Sequence, residues 1–87
     1  MRKIVFTQEA FNEFTEWASI DKSIFKKIAK LIQEIQRNPF IGTGKPEPLK
    51  HNFKGLWSRH INKEHRIIYN VNDESINIIS CKYHYEE

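Results

Sequence analysis

The chain has 87 residues, a net charge of +3 and a sequence pI of about 9.1, and this length suits one domain with a small core. Its 39% hydrophobic and 29% charged residues exclude a disordered chain, and no apolar run is long enough for a signal peptide or a bilayer span. The single cysteine, Cys81, excludes an internal disulfide, so we expect a cytoplasmic protein without membrane contact.

The first half of the chain predicts one strand and two helices. Residues Lys3–Phe6 are apolar and β-prone, and Thr7 is a suitable N-cap for the first helix. Asp21 is predicted to cap the second helix, which ends near Arg37 because an Asn-Pro dipeptide follows. We expect the apolar stripe of the first helix to lie in the core: Phe11, Phe14, Trp17 and Ala18. The second helix has an apolar seam formed by Ile24, Ile28, Leu31, Ile32 and Ile35.

The basic residues of the second helix admit two interpretations. They form either a solvated face or a docking surface for a large nucleic acid, which would add affinity without sequence information. The solvated face is the preferred interpretation. The side chains concerned are Lys22, Lys26, Lys27, Lys30 and Arg37.

Residues 38–54 contain no helix or strand that the pattern predicts. Connections of this length are uncommon within compact domains, and they are usually either functional or disordered. Phe40, Leu49 and Phe53 give this segment apolar anchors. We therefore expect an ordered, functional loop.

The second half of the chain predicts three strands. Residues 56–61 and 65–71 alternate as a hairpin with a tight turn near residues 62–64, and residues 75–85 follow a polar turn. The order strand, helix, helix, three strands predicts a single α+β domain over residues 1–87. Both helices are expected to pack on one face of a small, largely antiparallel sheet.

Positive charge is concentrated in the loop and hairpin. Between residues 42 and 66 two acids, Glu47 and Glu64, accompany six basic residues: Lys45, Lys50, Lys54, Arg59, Lys63 and Arg66. Such a concentration favours an anionic partner, for which RNA is our hypothesis. If the hairpin loop has an even length, Arg59 and Arg66 share a face and together suit a phosphodiester. The alternative is that each arginine pairs with a nearby acid such as Glu64 or Glu47.

The histidines and the cysteine have simpler interpretations. His51, His60 and His65 are expected to be surface or packing residues, with His60 and His65 together on the face opposite the arginine pair. Cys81 and His84 have Cys-x-x-His spacing, but an offset of three on a strand puts them on opposite faces. We therefore expect no metal and no cofactor, and a buried, unreactive Cys81.

Two segments, GKPEPLKHNFKGLWSRHINKEHRIIYNV and CKYHY, closely resemble the YoeB/Txe branch of the RelE-type toxins, the toxic halves of bacterial toxin–antitoxin pairs. The first half of the chain also fits this family. The resemblance implies a RelE-like fold and an endoribonuclease that cuts mRNA in the ribosomal A site without a metal. It further implies a YefM-like antitoxin that covers the active site, a toxin homodimer, and contact with operator DNA only through the antitoxin complex.

The resemblance also assigns roles to individual residues. Glu47 matches the general base, His84 the general acid, and Arg66 a catalytic group that stabilises the phosphate. Lys50 and Arg59 match further phosphate-binding groups, and Tyr85 matches an aromatic position that orients the substrate or stacks on a base. Strict alternation through an even-length second turn puts His84 on the face opposite Arg66. A bulge, an odd-length turn or a terminal bend is therefore needed.

Two other classes of function stay open at this point. A toxin of the related ParE type would bind a topoisomerase without catalysis and would need no acid/base pair. A basic RNA-binding module would need exposed aromatic residues on its sheet, and the expected motif is absent. The combination of Glu47 and His84 with the arginines favours the ribonuclease.

Overall fold

A computed structural model describes residues 1–83 of the chain. Its elements in order are β1 (Lys3–Phe6), α1 (Gln8–Ile20), α2 (Lys22–Arg37), β2 (Glu47–Pro48), a 3-10 turn (His51–Phe53), β3 (Trp57–His60), β4 (Arg66–Val71) and β5 (Ser75–Ser80). The predicted strand, both helices and the three later strands are present, but the last strand, predicted over residues 75–85, ends at Ser80, where the chain turns to bind helix α1. The expectation that residues 38–54 contain no element was wrong, because β2 and the 3-10 turn lie there. His84 and Tyr85, predicted on the last strand, lie outside the described residues.

The strands form one sheet with the order β1-β5-β4-β3-β2. β1 is parallel to β5, and the other neighbouring strands are antiparallel. Both helices pack against one face of this sheet, so the predicted α+β architecture is confirmed. The core between the layers contains residues from both helices, β4 and β5, with Ile61 after β3 and Cys81 after β5: Ala10, Trp17, Ile28, Leu31, Ile32, Ile35, Ile61, Ile67, Tyr69, Ile76, Ile78 and Cys81. Ile4 and Phe6 of β1 pack against them. Neither helix of residues 1–83 has the length and apolar character that a membrane crossing requires.

The helix starts follow the predicted capping residues. The Thr7 hydroxyl accepts a hydrogen bond from the Ala10 amide at 3.0 Å, and the Asp21 carboxylate accepts from the Ser23 and Ile24 amides. The predicted aromatic stripe of α1 is only partly correct. Trp17 is buried, but half of the Phe11 surface is exposed. Its ring meets that of Phe6, on the edge strand β1, at the margin of the core.

The hairpin register contradicts the predicted arginine pair. His60 lies opposite Arg66, and Arg59 lies opposite the core residue Ile67. Five residues separate His60 from Arg66, so the loop has an odd length and reverses the predicted parity. Arg59 therefore faces the helices, whereas Arg66 lies on the other face of the sheet.

A β-bulge interrupts the last hairpin. Ile68 pairs with Ser80, but the next residue, Tyr69, pairs with Ile78, which leaves Ile79 as the extra residue of β5. The bulge changes the parity of β5, so Ser80 lies on the same face as Arg66. This is one of the irregularities that the sequence interpretation required ahead of His84.

Candidate active site

The face of the sheet away from the helices carries a row of polar side chains. Glu47 lies opposite Ser58, Ser58 lies opposite Ile68, and His60 lies opposite Arg66. Directly opposed residues share a face, and so do residues two apart on one strand. Glu47, Ser58, His60 and Arg66 therefore belong to one surface. From the strand spacing and the rise per residue, the Cα atoms of Glu47 and Arg66 are about 12 Å apart.

Arg66 has a hydrogen-bond donor that finds no partner among residues 1–83. The residue is half-buried, and its Nε atom is buried and makes no hydrogen bond to any part of the described chain. The Ser58 hydroxyl is likewise buried and makes no hydrogen bond within residues 1–83. A buried donor without a partner costs free energy, and such groups in folded proteins usually meet a ligand or water. The Arg66 guanidinium is therefore suited to an anion that arrives from outside the chain.

The approach to Glu47 is fixed against strand β3. The His60 amide donates a hydrogen bond to the Gly44 carbonyl at 2.7 Å. Gly44 has φ of 86°, and a Cβ atom there would come within 2.8 Å of the His60 carbonyl oxygen, so only glycine fits without displacement. Lys45 is also left-handed, with φ of 54°. The chain reaches β2 by a constrained route that leaves the Glu47 side chain exposed.

Arg59 occupies the interior and not the polar row, so its predicted role as a phosphate-binding residue is corrected. Its side chain is fully buried. Nη1 contacts Glu34 Oε1 at 3.0 Å and Nε contacts the Tyr69 hydroxyl at 3.3 Å. The remaining hydrogen bonds of the guanidinium go to the carbonyl oxygens of loop residues Asn38, Ile41 and Thr43. Arg59 therefore fastens the loop that leads to Glu47, and its acid partner is Glu34 and neither Glu47 nor Glu64.

Glu34 is the second fixed point of this loop. Its carboxylate accepts a hydrogen bond from the Thr43 amide in addition to the ion pair with Arg59. The Thr43 hydrogen bond, followed by the charge of Arg59, lowers the pKa of Glu34 below its ordinary value. The tyrosine of the same network, Tyr69, donates to the Pro39 carbonyl at 2.6 Å. Helix α2 and strand β4 together hold the loop from inside the molecule.

The histidines are distributed differently from the prediction. His60 lies on the Arg66 face, and His65 lies in the β3–β4 turn with 6% of its surface exposed. The expectation that the two share a face opposite the arginines was wrong, because the odd loop separates them. His65 packs edge-on against Trp17, with ring centroids 4.8 Å apart, so its expected packing role agrees with the structure.

The segment after β5 is docked on helix α1. The Cys81 amide donates to Glu13 at 2.8 Å, and its carbonyl accepts from the Trp17 indole at 3.0 Å. The Cys81 thiol is fully buried, and burial together with the charge of Glu13 raises its pKa to about 12. Within residues 1–83, no three His, Cys, Asp or Glu side chains are grouped to hold a metal ion. Lys50 is exposed on the loop that follows β2.

Sequence reasoning missed Ser58 and His60 as members of the polar row. The signal that could have found them is Asn62, whose side-chain oxygen accepts the amides of Glu64 and His65. Such an Asx turn builds a longer loop than the tight turn that we predicted. Had we predicted a loop of odd length, the alternation of the strands would have placed His60 on the same face as Arg66.

Comparison with known proteins agrees with the fold and with the motifs. A family profile described as "YoeB-like toxin of bacterial type II toxin-antitoxin system" matches residues 6–85. Toxin YoeB of Escherichia coli K12 is 49% identical over 83 residues, which cover 95% of this chain and 99% of the relative.

Two solved structures from Staphylococcus aureus are also similar. A YoeB dimer has a TM-score of 0.89 at 47% identity and covers 97% of this chain and 98% of its own. A YoeB–YefM complex has a TM-score of 0.87 at 45% identity, with coverage of 98% and 99%. The chain therefore belongs to the YoeB family of toxins from bacterial type II toxin–antitoxin systems.

Proposed function

We propose that this toxin is a ribosome-dependent endoribonuclease that cleaves mRNA in the A site, and that the polar row is its active site. The observation that carries the proposal is the presence, on one face of the sheet, of an exposed carboxylate, Glu47, and of the Arg66 Nε donor, which has no hydrogen-bond partner in the described part of the chain. A base and a fixed cation on one surface are two of the three groups that RNA cleavage needs. Membership of the YoeB toxin family supports the same reaction class.

The reaction is an internal transesterification. The Glu47 carboxylate takes the proton of the 2′-hydroxyl, and the 2′-oxygen forms a bond to the adjacent phosphorus. The bond from phosphorus to the 5′-oxygen breaks, and that oxygen accepts a proton as it leaves. The products are a 2′,3′-cyclic phosphate and a 5′-hydroxyl. The gap of about 12 Å between the Cα atoms of Glu47 and Arg66 leaves room for a phosphodiester between the two side chains.

The remaining roles follow from the family resemblance. His84 is the proposed general acid that protonates the leaving 5′-oxygen, and Tyr85 is proposed to orient the substrate or to stack on a base. Lys50, exposed just beyond β2, adds positive charge beside Glu47. Arg66 and Lys50 together would stabilise the charge that develops on the phosphorane oxygens.

The proposed partners follow from the relatives and from the surface. The Staphylococcus aureus protein is described both as a dimer and as a complex with YefM. We propose that this chain likewise binds a YefM-like antitoxin and forms a homodimer. An antitoxin segment that covers the polar row would block Glu47 and Arg66 directly. Operator DNA would be contacted only through that complex, in the cytoplasm.

The test uses purified toxin, programmed ribosomes and a defined mRNA. We expect the wild type to cut at the A-site codon, and we expect Glu47→Gln and Arg66→Gln each to slow cleavage by about 10²- to 10³-fold, the usual cost of losing a base or a charge-stabilising group. Arg66→Lys should be slowed less, because it keeps the charge but loses the planar fork.

The matched control is Glu74→Gln. Glu74 is an exposed acid in the β4–β5 turn, at the other end of β4 from Arg66. Its substitution removes the same charge as Glu47→Gln and should leave the cleavage rate at the wild-type value. Intact mRNA after incubation with folded wild-type toxin would contradict the proposal.

A further inference from the structure

We propose that His65 is a positioning residue of the candidate active site. Its Nδ1 atom holds the backbone amide of Tyr83, the residue from which the chain continues into His84. The inference rests on the proposed function, in which His84 protonates the leaving group. Neither the sequence motifs nor the family comparison assigns His65 a role.

Two hydrogen bonds join the β3–β4 turn to Tyr83. The Tyr83 amide donates to His65 Nδ1 at 2.8 Å, and the Tyr83 carbonyl accepts from the Arg66 amide at 2.9 Å. His65 in the turn and Arg66 at the start of β4 thus bind both polar backbone groups of one residue. Because Tyr83 directly precedes His84 in the sequence, this clamp sets the distance between Arg66 and the last described residue before His84.

The backbone of Tyr83 is strained, and the two hydrogen bonds of the clamp stabilise this strained conformation. Tyr83 has φ of 60°, in the left-handed region that is unfavourable for residues other than glycine. Such conformations persist where the surroundings hold them, and they concentrate at functional sites. Half of the Tyr83 surface is exposed, so core packing does not hold the residue. The hydrogen bonds to His65 and Arg66 hold its backbone, and its ring contacts the His65 ring with centroids 5.3 Å apart.

His65 is itself fixed for this role. The residue is 6% exposed, and its ring packs edge-on against the Trp17 indole. The same indole donates to the Cys81 carbonyl at 3.0 Å, so one side chain of α1 supports both the histidine and the segment that it binds. Because Nδ1 accepts a hydrogen bond, the ring proton belongs on Nε2, which lies 3.5 Å from a Glu64 carboxylate oxygen.

The test distinguishes two roles of His65: the hydrogen-bond acceptor Nδ1 and the packing of its ring against Trp17. His65→Asn keeps an acceptor oxygen at the same number of bonds from the backbone as Nδ1, whereas His65→Leu keeps an apolar contact with Trp17 and has no acceptor. Asn72→Ala is the control, because Asn72 caps backbone amides of the β4–β5 turn, at the other end of β4 from His65. Hydrogen exchange of the Tyr83 amide and single-turnover cleavage on programmed ribosomes are measured for all three variants.

We expect His65→Leu to speed exchange at Tyr83 and to slow the cleavage step by about 10- to 100-fold, the effect of a displacement on the order of 1 Å. The KM for programmed ribosomes should change little. His65→Asn should restore both the exchange protection and the rate, and Asn72→Ala should lower stability without slowing cleavage.

Three results would overturn the inference: wild-type protection of Tyr83 in His65→Leu, an unchanged cleavage rate in that variant, or equal losses in the Leu and Asn variants. A wild type that does not cut contradicts the proposed function and with it the catalytic part of this inference. In that case, exchange at Tyr83 still decides whether His65 holds the chain.

Discussion

The carboxylate of Glu34 makes the stability of the protein depend on pH, and Glu34 holds the loop that leads to the candidate site. The Thr43 amide and the Arg59 guanidinium favour its ionised form, so its pKa is lower in the folded protein than in the unfolded chain. A carboxyl with a lowered folded pKa stabilises the fold above its unfolded pKa, and this contribution is lost as the pH falls through the folded pKa. The ionisation of Glu13 affects stability in the opposite direction. Burial raises the pKa of Glu13 in the folded protein, so ionising this carboxyl opposes folding.

We predict that Glu34→Gln destabilises the protein more near neutral pH than in acid. Urea unfolding of wild type and variant at about pH 7 and about pH 3 measures the gap in unfolding free energy, which should shrink in acid as Glu34 itself becomes protonated. Glu74→Gln controls for the loss of one negative charge. A gap of equal size at both pH values would show that the carboxylate charge of Glu34 contributes nothing to stability.

At the scale of elements, Arg59 makes most of the side-chain contacts that hold the loop between α2 and β2. Arg59 projects from β3 and binds Glu34 of α2, the Tyr69 hydroxyl of β4 and three loop carbonyl groups. Removing Arg59 leaves these acceptors without their donor, which costs free energy. The loop that presents Glu47 therefore depends on an arginine that we do not expect to touch substrate.

We predict that Arg59→Met lowers the free energy of unfolding by about 1–3 kcal/mol, the range for polar groups left without a hydrogen-bond partner inside the fold. Lys82→Met is the matched control. It breaks the more exposed Lys82–Glu16 pair and should cost less, because exposed pairs contribute little to stability. Urea unfolding measures both. Equal costs for the two variants would contradict the structural role assigned to Arg59.

The β3–β4 hairpin shows which features of the fold could be predicted from the sequence and which could not. Capping residues and apolar periodicity identified both helices, because these signals are local. The faces of Arg59 and Arg66 depended on whether the loop between them is even or odd, and a change of one residue moves a whole strand to the other face. The partner of Arg59 could not be found either, because Glu34 is 25 residues away and the contact exists only after the helices pack on the sheet.

At the scale of the whole molecule, the sheet separates stability from chemistry. One face packs on the helices and contains Arg59 with the core, and the other carries Glu47 and Arg66. The net charge of +3 favours approach to an anionic partner. The basic face of α2 is interpreted first as a solvated surface, and a docking surface for a large nucleic acid is the alternative. In the proposed reaction the nucleophile is the 2′-hydroxyl of the RNA itself.

The most direct test replaces the 2′-hydroxyl at the cut position of the A-site codon with hydrogen or with a methyl ether. Wild-type toxin and programmed ribosomes are otherwise unchanged, and the all-ribose mRNA is the control. We predict that the control is cut to a 2′,3′-cyclic phosphate and a 5′-hydroxyl and that both substituted mRNAs stay intact. Cleavage of a substituted mRNA at that position would mean that another nucleophile attacks the phosphorus, and the role proposed for Glu47 would be wrong.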